Sequence, residues 1–392
     1  MNKGIMTKLA RVGEKSSKSI STPKSLPIYM SSSFSFDDVD SLEKVYSGEE
    51  SGYIYSRISN PGHDALKELM ASVEEGEDAQ VYSSGMAAIA MSIIAHVKAG
   101  DHIIAANVLY GGTYQFLKEQ LAKFNVEVTF INTNMNRLEE CFKDNTKLVY
   151  METISNPLME VVDIRNISER CHKNNAKLII DNTFATPVIC KPLSLGADIV
   201  VYSGTKYLCG HSDMTAGIVV SDKETIEKIS HTGCLYGPTM SVFDSWLLIR
   251  SLRTLELRVK KHSDNALKLA EFLDKHEKVE KVYYPGLSSS ESCDMSKELF
   301  TEGLYGGMLS VDLVGGEKAV CDIIATLESI KFVPSLAGVA TSLSFPARTS
   351  HRALNDQELK DAGISKGLLR ISTGLEDIND IIREFDEALK KI

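Results

Sequence analysis

The segment VVYSGTKYLCG, residues 200–210, sets a single lysine just past an apolar run, with Ser203 and Thr205 ahead of it and Gly204 and Gly210 to either side. A primary amine held in such a place can add to a carbonyl compound, and the neighbouring hydroxyls can donate to an anion. A second apolar run, KLIID, closes on Asp181. In an open parallel sheet, ligands bind beyond the carboxyl ends of the strands, so Lys206 and Asp181 are expected to emerge on one rim. Taken singly, each has a plainer reading as half of an ion pair or as a helix cap.

The stretch QVYSSGMAAIAMSIIAHV adds a third element, because Ser83, Ser84, Gly85 and Met86 stand where a strongly apolar helix begins. Free backbone N–H groups and the helix dipole favour a phosphate there, although Ser-Gly is also an ordinary helix cap. Tyr110, in VLYGGTY, follows another apolar run beside two glycines. Its ring suits the face of a planar ligand, or equally a turn aromatic packed on the sheet. Phosphate cradle, lysine, acid and aromatic plate together describe pyridoxal 5'-phosphate. Lys206 forms the Schiff base, and Asp181 keeps the pyridine nitrogen protonated so that the ring acts as an electron sink. A dinucleotide or nucleotide site competes, but the chain has neither G-x-G-x-x-G after an early strand nor G-x-x-x-x-G-K-[ST].

These side chains need a scaffold. Between residues 62 and 222 the runs HIIAAN, VEVTFIN, KLVYMET, KLIIDNT, DIVVYSG and AGIVVSD are apolar on both faces. Most are spaced widely enough for a crossover helix, the pattern of a doubly wound α/β fold with a large, mostly parallel sheet. The last two lie too close for that and are expected to pair antiparallel. Residues 1–60, rich in serine and poor in periodicity, read as an N-terminal arm contacting a neighbour; 61–250 read as the large cofactor-binding domain. Residues 251–392 read as a smaller C-terminal α/β domain, with strands at VEKVYYPG, GGMLSVDL, SIKFVPSL and GLLRISTGLE. One helix is expected over 242–276 as the link, and a closing helix capped by Asp377.

Composition narrows the partners. A net charge of -10 argues against nucleic acid. The chain has neither an apolar leader core nor a run long enough to span a membrane, so a cytoplasmic location is expected. The seven cysteines form no C-x-x-C and the nine histidines no H-x-x-x-H, so no metal is expected.

With those residues in place, the sequence resembles the Cys/Met-metabolism group of pyridoxal-phosphate enzymes, which includes cystathionine γ-synthase, the cystathionine lyases, methionine γ-lyase and the homoserine sulfhydrylases. The likeness runs from YSRISNP through SSGM, VLYGGTY, ETISNP, DNTFATP and SGTKYLCGHSD to GLLRISTGLED, essentially the whole chain. It implies fold type I, as in aspartate aminotransferase, and a homotetramer of two catalytic dimers. Lys206 is then the Schiff-base lysine and proton shuttle, and Asp181 the pyridinium partner. Gly85, Met86, Ser203 and Thr205 bind phosphate, while Tyr110 stacks on the ring and assists proton transfer. The resemblance also makes Tyr55 and Arg57 ligands of the adjacent subunit's phosphate, and Arg370 a clamp for the substrate α-carboxylate with Ser335 and Asn156 nearby.

Departures from the family bear on substrate. Pro334 and Ala340, in FVPSLAGVATSLSFP, stand where relatives that handle a distal ammonium carry glutamates, which leaves a more apolar pocket. Gly112 replaces a cysteine of methionine γ-lyase, and Arg348 replaces a small residue. The resulting expectation is a carbon–sulfur lyase of sulfur amino acids, releasing a thiol, a 2-oxo acid and ammonia. The alternative is γ-replacement, as in cystathionine γ-synthase or O-acetylhomoserine sulfhydrylase. A protein that binds the cofactor without catalysis is more remote, because Lys206, Asp181, Tyr110 and Arg370 are all intact.

Overall fold

A computed structural model of the protein describes residues 23–352 and 354–392. Of the arm expected over 1–60, residues 1–22 lie outside that range. Seven strands form the larger sheet: β1 (Asp78–Tyr82), β2 (His102–Ala106), β3 (Glu127–Ile131), β4 (Thr146–Glu152), β5 (Lys177–Asp181), β6 (Ile199–Ser203) and β7 (Gly217–Ser221). Their order is β1-β7-β6-β5-β4-β2-β3. Pairing is parallel from β3 to β6, whereas β7 runs antiparallel to both β6 and β1. The six apolar runs are the six strands β2 to β7, and the antiparallel β6–β7 pair is as expected. β1 is an addition: DAQVY, with Asp78 and Gln80, is too polar to stand out, and it gains strand form by pairing with β7.

Burial explains why these runs are apolar throughout. Ile103, Ile104, Leu148, Val149, Ile179, Ile180, Val200 and Val201 are all fully buried, since helices cover both faces of the sheet. The parallel strands also share one carboxyl rim. Glu152 at the end of β4 lies in register with Asp181 at the end of β5, and Ser203 ends β6 next door.

The helix Gly85–Ile94 starts against this rim, capped by Ser84, whose hydroxyl accepts from the Ala87 N–H at 3.2 Å. Two glycines allow the close approach. A Cβ on Gly85 would lie 2.7 Å from Ser203 Cβ, and one on Gly217 would strike the Ser84 carbonyl. The turn after β6 is fixed from outside. Arg258, buried on the helix Leu255–Leu273, donates to the carbonyls of Tyr207 at 2.6 Å, Leu208 at 3.2 Å and Ser251 at 3.0 Å. Gly210 has a φ of 73°, and its missing Cβ leaves the room that the Arg258 guanidinium takes.

The single helix expected over 242–276 is two, Val242–Leu252 and Leu255–Leu273. No Gly or Pro marks the break. The Thr254 hydroxyl donates to the Ser251 carbonyl at 3.2 Å and accepts from Arg258 Nε at 3.3 Å, a local competitor to the helical ladder that periodicity cannot reveal. The second sheet comprises β8 (Val279–Tyr283), β9 (Met308–Leu313), β10 (Lys331–Phe332), β11 (Ser342–Ser344) and β12 (Leu368–Ser372), in the order β10-β11-β12-β9-β8. Four match the expected runs; β11, of three residues, is too short to read from sequence. Asp377 caps the closing helix Ile378–Leu389 through the Asn379 N–H. In the arm, the helix Val39–Tyr46 buries no residue, and Ile28, Tyr29, Met30, Val39 and Tyr46 are exposed. Among the described residues no helix is long and apolar enough to cross a membrane.

Replacing Arg258 by Ala strands buried carbonyls and is expected to cost about 3 kcal/mol. That lowers the apparent melting temperature by about 3 °C or more. Arg258→Lys should recover less than half of the loss, since one ammonium cannot reach carbonyls splayed around a planar fork. Differential scanning calorimetry showing an unchanged transition in Arg258→Ala would remove the guanidinium's assigned weight.

Candidate active site

A cavity of about 510 Å³ opens between the carboxyl rim of the larger sheet and segments 334–336 and 348–352 of the smaller unit. Gly85, Met86, Tyr110, Asn156, Asp181, Ser203, Thr205, Lys206, Ser335 and Arg370 all line it. Tyr55 and Arg57 do not. Arg57 instead donates to the Cys234 carbonyl at 2.8 Å, with its guanidinium 5.7 Å from the Tyr55 ring centroid.

Lys206 sits in the turn that follows β6, and its Nζ donates to Ser335 Oγ at 3.0 Å. Burial, and then the positive charge of Arg370, lower its pKa to about 8. Both disfavour the ammonium, so the amine spends far more time neutral than an exposed lysine does.

Asp181 is 8% exposed, and its Oδ1 accepts from the Thr183 N–H at 2.9 Å and from the Thr183 hydroxyl. Tyr150 donates to Oδ2 at 3.4 Å. Burial raises its pKa despite these donors. Glu152, 7% exposed, lies beside it and accepts from the Tyr110 N–H at 2.7 Å. Burial, followed by the Asp181 charge, raises the Glu152 carboxyl well above its ordinary range. Two adjoining acids without a cation between them favour a positively charged group on the ligand.

The opposite end of the cavity suits an anion. The N-terminus of the helix Gly85–Ile94 points its first N–H groups there, next to Ser203 and Thr205. The Thr205 hydroxyl is meanwhile held by the Ala216 N–H at 3.0 Å. A second anion position is at Arg370, on β12 and only 4% exposed. Its Nη1 donates to Asn156 Oδ1 at 2.7 Å, while its buried Nε has no partner. Burial lowers its pKa to about 10, which leaves it charged at neutral pH.

Tyr110 is 45% exposed and leans over Gly112, where a Cβ would lie 2.7 Å from Tyr110 Cε1 and 3.3 Å from Met86 Sδ. A cysteine at 112 would therefore displace the ring. Pro334 and Arg348 line the cavity, whereas Ala340 is exposed and outside its lining. The wall is less apolar than the loss of two acids suggests, because Arg352 joins Arg348 in it. Sequence reasoning missed Glu152, Thr183 and Arg352. Glu152 was the readable one, since KLVYME ends on an acid as KLIID does.

The profile of the Cys/Met metabolism PLP-dependent enzyme family matches residues 6–390. The chain belongs to this family. It is 40% identical over 371 residues to L-methionine gamma-lyase of Fusobacterium nucleatum subsp. polymorphum, covering 94% of this chain and 93% of that one. Cystathionine gamma-lyase of Bacillus subtilis is 38% identical over 375 residues, 94% of each chain. The crystal structure of cystathionine gamma synthase from Xanthomonas oryzae pv. oryzae, in complex with aminoacrylate and cysteine, superposes with a TM-score of 0.88 at 35% identity, covering 94% and 93% of the two chains. The protein is thus a PLP-dependent enzyme of fold type I, and its cavity fits that cofactor on its own terms. A phosphate cradle at Gly85, a buried acid pair at the far end and an amine of lowered pKa are the three features it requires.

The amine's titration is measurable. At pH 7 about one Lys206 in ten is neutral, against roughly one in a few thousand for an ordinary lysine. The rate at which cofactor-free protein takes up pyridoxal phosphate, followed by visible absorbance, should climb with pH and level off above about 8. Arg370→Met removes the second cause of the lowering and should move that midpoint upward. A rate still rising steeply at pH 10 in the wild type would contradict the assignment.

Proposed function

We propose that this enzyme is a carbon–sulfur lyase of sulfur amino acids, eliminating a thiol from the γ or β carbon and forming a 2-oxo acid and ammonia with one water consumed. The observation that carries the reading is the unpartnered Nε of buried Arg370 in the same cavity as the Lys206 amine. A guanidinium fork with a free donor suits an α-carboxylate, so an amino acid bound there presents its α-carbon to the lysine. The lyase names of the relatives at 38% and 40% identity support the same class.

The bound cofactor supplies an electron sink for the pair left when the α-proton departs. The protein's own groups do the rest. Lys206 holds the cofactor before substrate arrives, then takes the α-proton and passes it on, a task suited to an amine with a pKa of about 8. Asp181 would pair with the protonated ring nitrogen, and Thr183 and Tyr150 orient that carboxylate. Gly85, Met86, Ser203 and Thr205 would hold the phosphate, and Tyr110 would stack on the ring and assist proton transfer or departure of the leaving group. Arg370, Asn156 and Ser335 hold the α-carboxylate.

Tyr55 and Arg57 complete the phosphate site of a neighbouring subunit in a homotetramer of two catalytic dimers. The exposed Tyr55, Leu235, Tyr236 and Phe243 support an interface on that side. The enzyme works in the cytoplasm. A second reading, γ-replacement, is favoured by the likeness to a cystathionine gamma synthase and by Gly112.

Methionine, homocysteine, cysteine, cystathionine, and O-acetylhomoserine with cysteine are offered separately, and 2-oxobutyrate, pyruvate and new cystathionine are measured. Elimination products should dominate; dominant cystathionine synthesis would replace this reading with γ-replacement. Lys206→Ala should abolish both turnover and the visible band of the lysine-bound cofactor. Arg370→Ala should raise KM for every amino acid by about 10-fold or more. Equal mixing of subunits carrying Lys206→Ala with subunits carrying Arg57→Ala should restore activity if Arg57 serves the neighbour's site, because a hybrid pair contains one intact centre. Absence of restoration after refolding the mixture would place Arg57 outside that centre.

A further inference from the structure

Beyond the groups assigned above, the cavity carries two charges without a role. Arg348 and Arg352, four residues apart in the chain, line the cavity together with Pro334, Ser335 and Leu336. The acids lining the cavity, Glu152 and Asp181, are both buried on the sheet rim. Among the described residues no other acid lines the cavity. Arg348 pairs with Glu317, and both side chains remain well exposed, at 66% and 36%. Arg352 makes no ion pair or side-chain hydrogen bond among the described residues. Glu317 therefore offsets only one of the two guanidiniums, and the pair of arginines keeps a net positive charge.

The wall that carries them is fastened to the catalytic loop. His351 bonds the Leu109 carbonyl through Nε2 at 3.0 Å and the Ser350 hydroxyl through Nδ1 at 2.9 Å. A Cβ on Gly111 would collide with the Ser350 carbonyl, so the two segments are in direct backbone contact. The arginines flanking His351 are thus held beside Tyr110 rather than carried on a detached loop. With Arg370 assigned to the α-carboxylate, the part of the same cavity lined by Arg348 and Arg352 is left for the substrate's side chain.

We propose that Arg348 and Arg352 form an anion subsite for the distal end of the substrate, and that the preferred substrates are γ-substituted 2-amino acids whose thioether or ester substituent ends in a carboxylate. This rests on the reading of the cavity as an amino-acid site. It also refines the expected apolar pocket: Pro334 and Leu336 pack the chain of the substituent, and the guanidiniums meet its end. Substituents ending in an ammonium are disfavoured, because among the described residues no acid beyond Glu152 and Asp181 lines the cavity to pair with them.

The test uses matched pairs on the holoenzyme. O-acetyl-L-homoserine is compared with O-succinyl-L-homoserine, and L-ethionine with S-(2-carboxyethyl)-L-homocysteine. The ratio of kcat/KM, anionic over neutral, is read from 2-oxobutyrate release and cancels losses common to both members. It should be about 10 or more in the wild type, the size of one charge-assisted contact, and should fall as salt rises. Arg352→Gln and Arg348→Gln should each lower it several-fold, whereas Glu317→Gln, which frees Arg348, should raise it. A wild-type ratio of one or less, or a ratio unmoved in both arginine variants, overturns the proposal. Should none of the four compounds release 2-oxobutyrate, the γ-elimination reading fails separately. The affinity ratio is then taken from the change each compound causes in the cofactor's visible band, and the same thresholds apply.

Discussion

Desolvation of charge governs this molecule. Lys206, Asp181, Glu152 and Arg370 are gathered at one end of a sheet where little water reaches them, and burial pushes each toward its neutral form. Arg370 and Glu152 favour each other's charge, but Arg370 repels Lys206 and the two acids repel each other, so burial is offset only in part. Such a set is stable only because the surrounding sheet is rigid and densely packed, and it is useful because a ligand with the opposite pattern relieves all four at once. A ligand carrying a positively charged ring nitrogen and a carboxylate would match the acids and Arg370 respectively.

Much of the local design serves to hold that pattern in place. The missing Cβ atoms of Gly85 and Gly217 let a helix end touch two strand ends, and Arg258 pins the turn that bears the lysine. The cavity is also shared between two sheets. Lys206 donates to Ser335 across the gap, and Ser310 on β9 donates to the Pro157 carbonyl at 2.7 Å. The second of these bonds does not involve the lysine, so it ties the smaller unit to the larger independently of what the amine engages.

Lys206 and Asp181 were legible from sequence because a buried parallel strand is apolar to its last residues, and the polar group that follows marks the rim. Gly85 and Ser84 were legible for the complementary reason, at the start of an unusually apolar helix. Arg370 could not be read that way: an arginine inside LLRIS looks like any strand residue, and only the family likeness gave it a role. Glu152 closes KLVYME as Asp181 closes KLIID and was open to the same reading; what sequence alone does not give is its partner, since sheet register pairs it with Asp181 across β4 and β5. The strands β1 and β11 escaped notice because tertiary pairing, not local pattern, makes them strands. The break at Thr254 depends on hydroxyl bonds that a periodicity cannot encode.

The outer wall from Pro346 to Arg352 lies between β11 and β12 and contributes no rung to either sheet; its only regular piece is the short 3-10 turn Pro346–Arg348. Exchanging Arg348 or Arg352 there leaves the strand ladders and the His351 bond to the Leu109 carbonyl untouched. Catalytic and selective residues are thereby placed under separate constraints, the former locked into a scaffold that tolerates little change and the latter free to drift. A single ancestral chemistry can on this plan be redirected to new leaving groups by substitutions confined to one short surface segment.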